Sequence, residues 1–438
     1  MRLGSHAYSA AALQKIVEAG SELKSYASAR RVLKKLAGMA ISAPHVRQLT
    51  HEVGVELAMR RDRAVEDYLH HRRVEPSESV PAGAVVSTDG GRLQTRVATS
   101  GQGPGVHGEG WKEDKVACLY PVAGSSFAED PHPEPPRAFL DAAHVEELAK
   151  EVHAQRGTNP EWPTLPKKAD ETEEIGEAAV VASLGRGEPT ELDAAVTPGP
   201  EWPPKRGDRT CVATMRDSEA FGKMVAAEAY ARNFYAAPRR AFLADGLAYN
   251  WTIHKKWFAD FAPILDFVHA LSYLYAAATA TSVNAAERWA LYVQWMTACW
   301  QGRTGEVVTS LRTRADERGL GPPDAETPET DPRAVVARTI TYLTNNLDHM
   351  DYPRYRRMGL PVTSAAVESL IKEVNYRVKG TEKFWNHPTG AEAILQVRAA
   401  MLCGDDRLDE YLASRPGSPH RYPRRSGVHG VHETRVAA

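Results

Sequence analysis

The sequence predicts an α/β protein in which a mixed β-sheet is combined with helical segments before and after it. Three observations predict this class: apolar residues at helical spacing in residues 1–75, short β-rich segments between residues 82 and 257, and helical spacing again from residue 258. The chain has 438 residues, 42% of them hydrophobic, which is enough for a sizeable core and several domain-sized units.

The composition predicts a cytoplasmic protein without a membrane span. The four cysteines are far apart, match no zinc-site or secreted-disulfide spacing, and are expected to be buried thiols. The N-terminus is too polar for a signal peptide. The most apolar run, residues 258–278, contains Asp260, Asp266 and His269, so we expect a buried helix there and not a transmembrane one.

Residues 1–75 predict a helical region with a possible helix-turn-helix. A helical pattern ends at Gly38, and Ser42 followed by a proline in the first turn is a typical start of the next helix. The second helix of such a motif would present a polar face formed by His45, Arg47, Gln48 and His51. Thirteen basic against eight acidic residues favour DNA binding modestly. An ordinary helical hairpin explains the pattern equally well.

Residues 82–257 predict the first part of the sheet. AGAVVSTDGGRLQTR predicts a strand, an Asp-Gly-Gly turn and another strand, and KVACLYPVA, TCVATMRD and RRAFLADG predict three more. Residues 122–208 interrupt this pattern with 18 acidic against 8 basic residues and many prolines. We expect a partly flexible surface excursion with one helix, AAHVEELAKEVHAQ, and we expect it to be the segment least able to contact DNA.

The C-terminal half predicts a helical insertion and then the last part of the sheet domain. Residues 258–352 have helical spacing almost throughout, and residues 353–414 contain a basic loop followed by an amphipathic helix. Residues 415–438 are rich in turn-forming residues, which predicts a flexible tail.

Two aspartates stand where apolar strands are predicted to end. Asp89 comes shortly after the apolar residues 84–86, Asp245 comes directly after residues 241–244, and glycine follows each aspartate. A charged side chain at the end of a strand avoids the free-energy cost of burial and lies at the rim of the sheet. For either aspartate alone, capping of a turn is the simpler explanation.

A third carboxylate, Glu368, lies on the amphipathic helix of the last segment, which Thr363 or Ser364 can cap. The apolar stripe of this helix is formed by Val367, Ile371, Val374 and Val378. Glu368 shares a different face with Lys372, Asn375 and Lys379. Taken alone, a solvated Glu–Lys pair one turn apart explains this face.

Together the three carboxylates meet the needs of a two-metal site. Mg²⁺ takes oxygen ligands and keeps positions for water and phosphate. Two such ions about 4 Å apart can activate a nucleophile and stabilise the leaving oxygen of a phosphodiester. The order of strand-Asp, further strands, helix, strand-Asp, helical stretch and helix-Glu is that expected of a ribonuclease-H-like mixed sheet.

The segments AFLADGLAYNWTIHKKWFADFAPILDFVHALSYLYAAA and GLPVTSAAVESLIKEVNYRVKGTEKFW resemble bacterial insertion-sequence transposases of the DDE type, in particular the Kra-like insertion sequences. The resemblance covers residues from about 83 to 415. It implies that Asp89, Asp245 and Glu368 form the catalytic triad and bind two Mg²⁺ ions, for which Mn²⁺ can substitute. It also implies a ribonuclease-H fold with a helical insertion between the second and third of these residues.

The resemblance further implies that the partner is DNA, both the terminal inverted repeats of the element and the target. Joining two ends implies at least a homodimer on DNA, in the nucleoid of a bacterial cytoplasm. Two other functions stay open: a domesticated regulator that binds DNA without cutting it, and a ribonuclease-H-like nuclease that hydrolyses DNA without joining it. The three intact carboxylates count against the regulator.

Other residues are expected to support this site. Asp266 and His269, three residues apart on a predicted helix, would lie near the second aspartate or form a simple helix pair. Trp251 and Trp385 would stack on an unpaired base near the cut or pack in the core. A basic path that would contact DNA phosphates leads to and past Glu368, and it consists of Arg354, Arg356, Arg357, Lys372, Lys379 and Lys383.

Overall fold

The computed structural model describes residues 8–72, 76, 79–95, 111–155, 202–379, 385 and 388–415, and its architecture is mixed α/β. We predicted flexibility for residues 122–208 and 415–438, and the parts of these segments from 156 to 201 and from 416 to 438 lie outside the described residues, as does Lys383. None of the helices within the described ranges combines the length and the apolar character that crossing a bilayer requires.

A five-stranded sheet in the order β3-β2-β1-β4-β5 forms the centre of the molecule. Strand β1 (Ala84–Gln94) pairs antiparallel with β2 (Trp111–Pro121), which pairs antiparallel with β3 (Thr210–Thr214). On its other side β1 runs parallel to β4 (Arg240–Ala244), and β4 runs parallel to β5 (Ala262–Leu265). The prediction of a mixed sheet is therefore confirmed.

Two local predictions were wrong. Residues 89–91 do not form a turn, because β1 continues through them and Gly91 pairs with Asp114 of β2. A β-carbon at position 91 would lie 2.8 Å from Asp114 Oδ1, so the glycine makes room for a neighbouring side chain. Residues 262–265 are not helical but form β5. Periodicity does not distinguish a buried strand of four residues from part of a buried helix.

Helices cover both faces of the sheet. Successive strand residues point to opposite faces, so Val85 packs into one apolar core and Val86 into another. The first core includes helices α4 (Ala142–Gln155), α7 (Phe267–Thr281) and α12 (Ala365–Val378). The second includes helices α5 (Ser218–Ala231) and α6 (Ala248–Trp257).

From Phe267 onwards the helical prediction holds. Four helices follow α7: α8 (Ala285–Trp300), α9 (Thr304–Glu317), α10 (Pro332–Asn345) and the short α11 (Tyr352–Arg357). Trp295 and Trp300 are fully buried in the first core, which ties this block to the sheet. The block ends shortly before α12, the helix that carries Glu368.

The N-terminal helices share a core with the C-terminal ones. They are α1 (Ala10–Glu22), α2 (Tyr26–Ala37) and α3 (Ala43–Leu69), and they pack on α13 (Pro388–Met401) and α14 (Arg407–Ser414). The predicted caps are confirmed, since Gly38 has φ 64° and Ser42 Oγ accepts the His45 N–H at 3.3 Å. Helix α3, the second helix of the possible helix-turn-helix, has 27 residues. Its Arg47 and Gln48 are exposed.

Candidate metal centre

Asp89 and Asp245 lie side by side on neighbouring parallel strands. The register pairs Thr88 of β1 with Ala244, the last residue of β4. Asp89 and Asp245, which follow these two residues, are therefore neighbours. Both aspartates are buried, and a ligand atom of each lies within 4.8 Å of the other and of a ring nitrogen of His269. Three potential metal ligands from three separate elements therefore meet at the end of β4.

Asp245 is held by a network of hydrogen bonds. Its Oδ1 accepts the Asn250 Nδ2 at 2.9 Å and the Leu247 N–H at 3.1 Å. Asn250 is completely buried and its Oδ1 accepts the Thr88 hydroxyl at 3.1 Å, which links the two strands. The Tyr342 hydroxyl of α10 donates to the backbone oxygen of Asp245 at 2.8 Å. The helical block thus contributes to the position of this carboxylate.

Asp266 follows β5 and is the N-cap of α7. It is completely buried, and its Oδ2 accepts the His269 N–H at 3.0 Å and lies 2.6 Å from His269 Nδ1. Its Oδ1 accepts the Ser364 N–H at 2.7 Å, immediately before α12. With Nδ1 directed at Asp266, the neutral form of His269 presents Nε2 as its free ligand atom.

Glu368 lies in the first turn of α12, where it is partly buried. Ligand atoms of Glu368, Asp266 and His269 lie within 4.8 Å of one another, so His269 belongs to two groups of potential ligands. Ser364 is the N-cap residue, but its hydroxyl donates to Glu368 Oε1 at 2.7 Å and does not bond to the backbone of the helix. Lys372 makes its ion pair with Glu151, at 3.1 Å, and not with Glu368.

Burial makes the ionised carboxylates unfavourable in this site. Burial raises the pKa of Asp89 to about 8, the charges of Asp245 and Glu368 add to the rise, and His269 opposes it. Burial and the charge of Asp266 raise the pKa of Glu368. Burial lowers the pKa of His269, but the hydrogen bond to Asp266 and the charges of the aspartates outweigh burial and raise that pKa to about 9. The site therefore attracts positive charge.

The donor set fits a hard divalent cation. Asp89 Oδ2 is buried and has no hydrogen-bond partner among the described residues, as expected of an oxygen that is a metal ligand. Carboxylate oxygens suit Mg²⁺ and Mn²⁺, and one imidazole among them is compatible with Mn²⁺. Asp89, Asp245 and His269 would hold one ion, and Glu368 with Asp266 or His269 would contribute to a second.

The two tryptophans named from the sequence lie in packed environments. Trp251 Nε1 donates to Asn346 Oδ1 at 2.7 Å, and its ring lies 3.9 Å from that of His349. Trp385 Nε1 donates to the Val378 oxygen at 2.9 Å. Both arrangements are typical of core packing.

The predicted basic path needs one correction. Arg356 is fully buried, where Nε and Nη2 donate to the carboxylate of Asp130 at 2.8 and 2.6 Å, so it does not face DNA. Its guanidinium also packs on the Trp300 ring, 4.2 Å from the centroid. The members of the path that the structure describes as exposed are Arg354, Arg357, Lys372 and Lys379.

The contacts that three residues, Asn250, Ser364 and Tyr342, make with the candidate ligands were missed from the sequence. Asn250 and Ser364 had usable signals, because each lies about one helical turn from a candidate ligand on the same local segment. Tyr342 had none, since it lies 97 residues from Asp245. No family model, no curated protein and no solved structure matches this chain.

Proposed function

We propose that this chain is a DNA transposase of the DDE type, which cuts DNA at the ends of an insertion sequence and joins them to target DNA. The observation that carries the proposal is the meeting of Asp89 and Asp245 on adjacent parallel strands, linked to Glu368 through His269 and Asp266. This placement supports the triad that the resemblance implies.

We also propose that the sheet is ribonuclease-H-like. In its support, the antiparallel pairs β1–β2 and β2–β3 lie on one side of the sheet, and β4 and β5 run parallel to β1 on the other. The acidic residues follow the expected distribution, with one on the first strand, one directly after the fourth and one on a helix near the end of the chain. The helices α8–α11 come between the second and third, as an insertion would.

Bound divalent ions would supply the chemistry, by activating a water or a 3′-hydroxyl and by stabilising the leaving oxygen of the phosphodiester. Asp89 and Asp245 hold their oxygens at adjacent positions of a rigid sheet. Glu368 is oriented by Ser364, and His269 is oriented by Asp266. The exposed cations Arg354, Arg357 and Lys379 are suited to bind the DNA backbone.

The test is cleavage and joining by single variants. Asp89→Asn, Asp245→Asn and Glu368→Gln keep side-chain size and remove the charge, so each is expected to abolish Mg²⁺-dependent nicking of duplexes that carry the sequences flanking the reading frame. Asp260→Asn, at an exposed aspartate before β5, is the matched control and should cut like the parent. Nicking at the parental rate by any of the three variants would contradict its role.

Two further measurements separate the alternatives. Calorimetry with Mn²⁺ should show binding to the parent and weaker binding to Asp245→Asn, independently of any cleavage. A DNA end that is already cut should be joined to a target plasmid; hydrolysis without joined products would indicate a nuclease. DNA binding with no metal-dependent nicking would indicate a regulator.

A further inference from the structure

A pocket of about 290 Å³ lies beside Glu368, which also lines it. Strand β2, the start of α12 and residues 206–209 enclose the pocket, which we call the Arg206 pocket. Because Glu368 is also within 4.8 Å of Asp266 and His269, the pocket adjoins the candidate metal centre. A group bound there would lie directly beside that centre.

Three cationic side chains line the Arg206 pocket. Arg209 is fixed, since Nη2 donates to Glu373 at 2.7 Å and Nε to the Leu402 oxygen at 3.2 Å. Lys372 makes an exposed pair with Glu151. Arg206 is exposed and has no ion pair with any residue that the structure describes. At least this guanidinium is therefore available to an anion.

Neutral donors face the same pocket. Tyr120 lines it with only 1% of its surface exposed, and its hydroxyl has no hydrogen-bond partner in the described part of the chain. The N–H groups of Ala365 and Ala366, which also line it, have no acceptor among the described residues. The Ser364 hydroxyl leaves them uncapped because it donates to Glu368. A buried phenol and two amides at a helix start are the donors that an oxyanion needs.

We propose that the Arg206 pocket binds a backbone phosphate of DNA next to the phosphodiester that is cut. This inference rests on the proposed function and names a contact of the substrate. A phosphodiester oxygen accepts charge-assisted hydrogen bonds from Arg206 and Lys372 and a further bond from Tyr120. The negative charge of Glu368 opposes an anion until a divalent ion neutralises it, so binding in the pocket and binding of metal favour each other.

The proposed contact would depart from the expectation that residues 122–208 are the segment least able to meet DNA. Arg206 lies near the end of that acidic segment. Its backbone forms an isolated antiparallel β-bridge with Val122, the residue directly after β2. The bridge places the guanidinium beside the start of α12 although the surrounding sequence is acidic. The net charge of a segment therefore does not predict the role of each residue in it.

The test measures binding of duplex DNA by fluorescence anisotropy in Ca²⁺, over a series of KCl concentrations. Arg206→Ala should weaken binding about tenfold and lower the slope of log K against log[KCl] by about 0.9. Tyr120→Phe should weaken it less and leave the slope unchanged, since it removes no charge. Arg318→Ala, an exposed arginine at the end of α9, is the matched control and should bind like the parent.

The outcomes separate this inference from the proposed function. If Arg206→Ala binds DNA with the parental affinity and salt slope, the proposal that the Arg206 pocket binds a DNA phosphate is overturned, whatever the result of the cleavage assays. Calorimetric binding of inorganic phosphate that depends on Arg206, with unchanged DNA affinity, would also overturn it by showing a free-anion site. Parental nicking by Asp89→Asn would instead overturn the metal-dependent function, and the effect of Arg206→Ala on DNA affinity would still stand.

Discussion

Asp266 Oδ2 lies 2.6 Å from His269 Nδ1, and Asp266 is completely buried. The other oxygen of the same carboxylate accepts the Ser364 N–H at 2.7 Å, one helical turn before Glu368. Asp266 therefore links His269, which belongs to both ligand groups, to the start of the helix that carries Glu368. It acts as a positioning residue for both His269 and the helix that carries Glu368.

Removal of Asp266 is expected to destabilise the protein strongly. Asp266→Ala leaves the buried His269 without its carboxylate partner and the Ser364 N–H without an acceptor. Such a loss lowers the free energy of unfolding by about 3–5 kcal/mol. The Asp266→Ala/His269→Ala double variant should cost less than the sum of the single variants, with a coupling of about 1–3 kcal/mol. Urea unfolding of the four proteins measures both values. Additive losses would show that the pair is not coupled.

Loss of the Ser364 hydroxyl is expected to affect activity more than stability. Ser364→Ala removes the hydrogen bond to Glu368 Oε1, which orients a candidate metal ligand. Such contacts change metal affinity or activity by about 10–100-fold. The Mn²⁺ affinity from calorimetry and the nicking rate should both fall, while the urea midpoint changes little. Thr309→Ala, an exposed hydroxyl on α9, is the control, and an equal effect there would contradict the assignment.

Gly246 is expected to tolerate no side chain. It has φ 88°, and a β-carbon would lie 2.8 Å from Leu265 Cδ1 and 3.0 Å from Tyr342 Cε2. Gly246→Ala should therefore destabilise the fold by about 1–3 kcal/mol and displace Asp245. The control is Gly305→Ala in α9, where no atom lies within 4 Å of the added carbon and alanine favours the helix. Equal thermal midpoints of the two variants would contradict this prediction.

Asp114 is expected to make stability fall as the pH rises. It is completely buried next to Gly91, and burial raises its pKa to about 6. Because its pKa is higher in the folded state, its contribution to stability is complete below pH 3.8 and is lost as the pH rises through about 6. The loss amounts to about 3 kcal/mol. Asp114→Asn should therefore be stabilised relative to the parent at pH 7.5 and much less so at pH 4.5.

Urea unfolding in EDTA at the two pH values measures this difference, and Asp260→Asn controls for the loss of one acidic residue. A constant stability difference between Asp114→Asn and the parent at both pH values would show that the carboxyl titrates normally in the fold.

The sequence alone identified those features that depend on residues close to one another in the chain. Short β-rich and apolar runs located four of the five strands, and the apolar stripe Val367, Ile371, Val374 and Val378 is buried as predicted. Cap and glycine signals located the start of α3 and the end of α2. It also singled out Asp89, Asp245 and Glu368, because each has a context that is visible within a few residues.

Local context did not determine how far a strand continues. The Asp-Gly-Gly of β1 has the composition of a turn, but its pairing with β2 keeps it extended and its glycine accommodates Asp114. Arg356 has the context of an exposed basic loop, yet an ion pair with Asp130, 226 residues away, keeps it buried. In both cases the partner that decides the outcome is distant in the chain.

The sequence by itself determined which side chains have the chemistry of a metal site and which elements carry them. Only the tertiary structure decided that β1 and β4 are neighbours with Asp89 beside Asp245, that His269 joins both ligand groups, and that Arg206 lies next to Glu368. The physical reason is the distance along the chain over which each kind of interaction acts. Periodicity and capping act within one or two helical turns, whereas strand register, buried ion pairs and pockets arise from contacts between segments that meet only when the whole chain has packed.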